Sequence, residues 1–67
     1  MMNNEELFEA IKTLKNEGVS YKEIYDNSNI PKSTFFYYMK NQRFPYKARQ
    51  RIEMYIKKEF KELLKYE

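Results

Sequence analysis

The chain has no cysteine, no histidine and no tryptophan, and only one glycine and two prolines among its 67 residues. Without cysteine or histidine there is no disulfide, no thiolate nucleophile, no imidazole base and no ordinary zinc site, so most chemistries available to small enzymes are excluded. We expect no enzymatic activity, no metal and no cofactor. So little glycine and proline leaves few turns for hairpins, while Lys, Glu, Leu and Ile recur at helical spacing; the predicted class is all-α. No apolar run approaches the roughly 20 residues that a bilayer span requires. The segment Met1-Met2-Asn3-Asn4-Glu5-Glu6 has neither a basic nor an apolar leader character, so a cytoplasmic protein with no membrane partner is expected. Length allows one core, read as a single domain over residues 1–67.

What is present is unevenly distributed. Residues 1–26 carry three lysines against six acids, residues 27–52 carry three lysines and three arginines with no acid, and residues 53–67 balance four against four. The acid-free middle interleaves its cations with Phe36, Tyr37 and Tyr46. A basic stretch threaded with aromatics is the composition of a surface that meets a polyanion, although charge runs also serve simply as solvated faces.

Helix signals divide the chain. Asn3 or Asn4 can cap a first helix over about residues 4–16, with Glu5 and Glu6 in its first turn, Leu7, Phe8, Ile11 and Leu14 on one face, and Gly18 closing it. Ser20-Tyr21-Lys22-Glu23 is a capping box that starts a second helix at Tyr21, with Val19 and Ile24 placed as a hydrophobic staple. Asp26-Asn27-Ser28-Asn29 ends it, and Asn29 is suited to a left-handed turn. Pro31 opens a third helix running to about Lys40, with Asn41 expected to take the left-handed closing position. Phe44, before Pro45, should be extended, and nothing breaks a last helix from Tyr46 to Tyr66, about 30 Å long.

The run Ile24-Tyr25-Asp26-Asn27-Ser28-Asn29-Ile30-Pro31-Lys32-Ser33-Thr34-Phe35-Phe36-Tyr37-Tyr38-Met39-Lys40-Asn41 resembles the helix-turn-helix of the lambda-repressor and Cro-like family. The resemblance covers about residues 20–45. Ile24 stands for the family's first Leu, Asn29 for the turn Gly, Ile30 for Val, Phe35 and Tyr38 for two core Ile, and Asn41 for the closing Gly, while Ser33-Thr34 match directly. Tyr25 departs from the family's small Ala and Pro31 from its N-cap Ser. Thr34 to Lys40 is also similar to the recognition helix of tetracycline-repressor-type and resolvase-type domains. The resemblance implies a compact four-helix domain, its helix-turn-helix at about 20–41, that binds double-stranded DNA as a sequence-specific regulator, a small repressor of phage or mobile-element type.

Carried over by position, the first, second and sixth residues of the recognition helix make Lys32, Ser33 and Tyr37 candidates for reading base edges. Lys40, Asn41, Arg43, Tyr46 and Lys47, with Ser20, Tyr21 and Lys22 at the second helix, are candidates for phosphate. Neighbours on a helix lie about 100° apart, so Phe35 and Tyr38 should pack inward while Phe36 and Tyr37 stay outside. An exposed Phe36 has two readings, contact with thymine methyl groups or a place in a protein interface; the second supports a rival function as an antirepressor or inhibitor that binds protein. Finally, a last helix reaching residue 66 would outrun its packing partners and leave Phe60, Leu63 and Leu64 as an apolar patch, which points to a homodimer.

Overall fold

A computed structural model describes residues 1–61. They form four helices: α1, Asn4–Asn16; α2, Tyr21–Asn27; α3, Lys32–Asn41; and α4, Tyr46–Glu59. Among the described residues no helix is long and apolar enough to cross a membrane.

The first two helices begin alike. The Asn3 side chain accepts from the Glu6 amide at 2.8 Å while the Asn3 amide donates to the Glu6 carboxylate at 3.0 Å, and Ser20 and Glu23 repeat the exchange at 3.1 and 3.4 Å. Each box satisfies amides that a helix start leaves orphaned. Val19 and Ile24 are both buried, as the staple requires.

Three helices also end alike, each on a residue with positive φ: Gly18 at 97°, Asn29 at 58° and Gln42 at 53°. After α1 the Val19 amide donates to the Leu14 carbonyl; after α2 Ile30 donates to Tyr25; after α3 Arg43 donates to Tyr38, at 2.9, 3.0 and 3.1 Å. This is the six-to-one bond of a Schellman ending, and it turns the chain sharply with no unpaired amide. The third instance corrects an expectation. Gln42, not Asn41, is left-handed, because Asn41 stays helical and its side-chain amide donates to the Tyr37 carbonyl at 2.9 Å.

Leu7, Ile11 and Leu14 of α1, Ile24 and Tyr25 of α2, Phe35 of α3 and Ala48, Ile52, Tyr55 and Ile56 of α4 share one core with Val19, Ile30, Met2 and Phe44. Full burial of each large aliphatic side chain contributes about 1.5–3 kcal/mol. An aromatic seam runs through this core, Phe35 meeting Tyr25 at 5.5 Å and Phe44 at 5.7 Å, and Phe44 meeting Phe8 and Tyr38 at 5.5 Å each. Tyr25, where the resembled family has a small residue, thus fills space as part of that seam.

Distant segments are tied by polar bonds. The Met2 amide donates to Glu53 at 2.7 Å and the Phe44 amide to the Asn4 side chain at 2.6 Å, fastening the N-terminal end to α4 and to the loop before it.

The last helix differs from the expectation of an unbroken run over 46–66. It ends at Glu59, Phe60 leaves helical geometry (φ −137°, ψ 47°), and the Phe60 ring turns back onto Tyr55 at 5.6 Å. Phe60 is therefore half-buried and is not an uncovered apolar end. Leu63 and Leu64 lie outside the described residues.

Candidate nucleic-acid interface

At 3.6 residues per turn, Lys32, Ser33, Phe36, Tyr37, Lys40 and Asn41 fall within one half of the circumference of α3, and Thr34, Phe35, Tyr38 and Met39 within the other. Burial follows that division. The first six are exposed, Phe36 at 38% and Tyr37 at 65%, whereas Phe35 is fully buried and Thr34, Tyr38 and Met39 are half-buried. The side chains expected to read bases therefore share one outward stripe, about 12 Å long from Lys32 to Lys40.

The stripe carries no negative charge, and neither do the first turns of α3 and α4. α1 and α2 hold a glutamate in their capping boxes, but α3 and α4 open on Pro31 and Pro45 with no side-chain cap and no acid in the first turn. Their first-turn amides and the positive end of each helix dipole are left without a side-chain counter-charge. Lys47, near the start of α4, lines a groove of about 270 Å³ with Pro31, Thr34, Tyr38 and Arg51, so the two uncapped starts are brought together. Tyr38, expected on the inner face, and Thr34 are polar groups there, and both are half-buried.

The six cations of the acid-free stretch separate by task. Arg49 donates to the Phe44 carbonyl at 2.6 Å and Arg51 to the Asn29 carbonyl at 3.4 Å, so both guanidinium groups brace loops. Lys32, Lys40, Arg43 and Lys47 are exposed and make no ion pair among the described residues. Arg43 and Tyr46 stand in the open on the α3–α4 connection and the first turn of α4.

At the start of α2, Tyr21 reaches the stripe, its ring 5.8 Å from Phe36, and the Lys15 ammonium lies over the Tyr21 ring, 4.4 Å from its centroid. Its two neighbours are engaged locally. Ser20 caps α2, and Lys22 donates to Asp26 at 2.6 Å, a bond that raises the lysine pKa above its ordinary value, helped by the charge of Asp26. Of the three residues expected to meet phosphate here, Tyr21 alone is not held in such a local bond. Asn41 has one amide hydrogen on the Tyr37 carbonyl and keeps the rest of its side chain at the surface.

With the geometry in place, no protein-family model, curated protein or solved structure was found to match the chain.

Proposed function

We propose that this protein binds double-stranded DNA in a sequence-dependent way by laying the outer stripe of α3 in the major groove, and acts in the cytoplasm as a transcriptional regulator, a small repressor, without enzymatic activity or cofactor. One observation carries the reading: α3 presents exposed hydrogen-bonding, cationic and aromatic side chains on a single acid-free face, flanked by two helix starts whose amides lack a side-chain cap. Polar side chains along a helix suit base edges, and free amides with nearby cations suit phosphates. Lys32, Ser33 and Tyr37 take the base edges; Lys40, Arg43, Tyr46 and Lys47 take the backbone.

Two copies reading an inverted repeat complete the proposal, since a single small domain contacts only one half-site. Pairing through the C-terminal segment is supported by the adjacent Leu63 and Leu64 in its sequence. The second reading, an inhibitor that docks on another protein through α3, is favoured by Phe36, because an exposed ring among cations also suits a protein interface.

Selection of bound fragments from random duplex DNA tests the proposal. Enrichment of one sequence is expected, with inverted symmetry if the protein pairs, and Lys32→Ala and Tyr37→Ala should each cost about 1–3 kcal/mol on that sequence and much less on random DNA. Sedimentation equilibrium with and without the fragment measures the pairing. No enrichment, or equal losses on both DNAs, refutes base reading.

A further inference from the structure

Phe36 is the only apolar side chain on the outer stripe of α3, and it sits one helical turn from Lys32 on one side and from Lys40 on the other. Its ring is also held. Tyr21, Tyr25 and Phe35 meet it at 5.8, 6.0 and 5.4 Å with interplanar angles of 81°, 71° and 86°, so three aromatic neighbours from α2 and α3 fix it edge against face while 38% of the residue remains exposed. A flexible side chain would lose rotamer freedom on binding; this one has already lost it on folding.

Phenylalanine neither donates nor accepts a hydrogen bond, so it cannot read the polar edges that Lys32 and Ser33 can. In the major groove of ordinary DNA the apolar feature is the C5-methyl group of thymine. Lys32 and Lys40, four residues before and after Phe36, are opposite in charge to the phosphate walls of the groove, which argues for DNA over an apolar protein surface as the occupant.

We propose that Phe36 is a specificity-determining residue that reads thymine C5-methyl groups, one or two adjacent on a strand, and that the bound sequences carry thymine at the centre of each half-site. This rests on the DNA-binding reading above. Burying a group the size of a methylene contributes about 0.8 kcal/mol, so each contacted methyl is worth about fourfold in affinity.

The test replaces thymine by deoxyuridine, which keeps every base-pairing group and removes only the methyl. The probe is the duplex recovered by selection, synthesised with thymine and with single uracils at each position in turn, and binding to wild-type protein is followed by fluorescence anisotropy. A loss of about fourfold confined to one or two adjacent positions in each half-site supports the proposal; losses spread evenly along the site, or no loss anywhere, overturn it while leaving DNA binding intact. Absence of any duplex binding overturns both readings and is distinguished by the thymine probe itself. Phe36→Ala, checked for its helical circular dichroism, supplies the second arm: the uracil penalty should vanish in it, and a penalty unchanged from wild type assigns the methyl to another residue and overturns the role of Phe36. The wild-type scan stands without this variant if the substitution costs the fold.

Discussion

Replacing Phe44 by alanine strikes the fold at a loop. The ring is fully buried and meets Phe8, Phe35 and Tyr38 at 5.5, 5.7 and 5.5 Å, so it joins α1 to α3 from the connection before α4. Emptying a buried Phe site costs about 3–5 kcal/mol. A domain of this size has about 3–10 kcal/mol in total, at 0.05–0.15 kcal/mol per residue. The variant should therefore lose a third or more of its stability and stand near the edge of unfolding at 25 °C. With a urea slope of about 1 kcal/mol/M, the midpoint of loss of helical circular dichroism should fall by about 3–5 M, or the folded baseline should vanish. Tyr46→Ala, two residues on but 59% exposed, is the control and should stay within about 0.5 kcal/mol of wild type. Asn4→Ala probes the same loop through its polar tie and should cost about 1–3 kcal/mol, since the part-buried Phe44 amide loses its acceptor. A Phe44→Ala midpoint within about 1 M of wild type would refute the assignment of this loop to the core.

Three further outcomes are expected. Duplex affinity should fall with salt at a log–log slope of about −3 per domain, from Lys40, Arg43 and Lys47, and Arg43→Ala should lower that slope by about one unit on every sequence; a flat salt dependence measured by anisotropy contradicts this. Gln42→Gly should raise thermal stability by about 1 kcal/mol, because Gln42 holds φ 53° at a cost glycine does not bear; an unchanged or lower midpoint contradicts it. Burial raises the Tyr55 pKa above its ordinary value of 10.0, with Glu23 and Glu59 adding to the shift, so its contribution is full below pH 10 and is lost as pH rises through the folded value. Urea midpoints should decline there more steeply for wild type than for Tyr55→Phe, and parallel declines would show that Tyr55 is not responsible.

Local chemistry announces itself in a sequence, and here it marked most of the helix ends. The Ser20–Glu23 box, the closing Gly18, the left-handed Asn29 and the Pro31 start depend only on residues within one turn, and α1, α2 and α3 begin or end where those signals stand. The division of α3 was readable for the same reason, since four consecutive aromatics cannot all face inward. Less visible were features decided by remote partners. Asn4 and Phe44 are 40 positions apart and Met2 and Glu53 are 51 apart, so neither bond leaves a periodic trace. The rule that a residue before proline is extended says nothing of where its side chain packs, and the burial of Phe44 among Phe8, Phe35 and Tyr38 is set by those partners. The break after Glu59 has no glycine or proline to signal it; Phe60 leaves the helix in favour of the Tyr55 ring. Arg49 and Arg51 look from the sequence like further members of the cationic run, and only their carbonyl partners separate them from it.

The two faces of α3 share almost no residues, and this has an evolutionary consequence. Lys32, Ser33, Tyr37 and Lys40 are exposed and lie outside the buried core, so they can be exchanged with changes in stability of about 0.5 kcal/mol or less. On the DNA-binding reading proposed above, a lineage can thus move from one target to another by single substitutions without passing through unfolded intermediates. Phe36 is the exception, being wedged against Tyr21, Tyr25 and Phe35. A library randomised at the other four positions and constant at Phe36 should keep nearly all its members folded, a ready source of altered specificities that share one invariant contact.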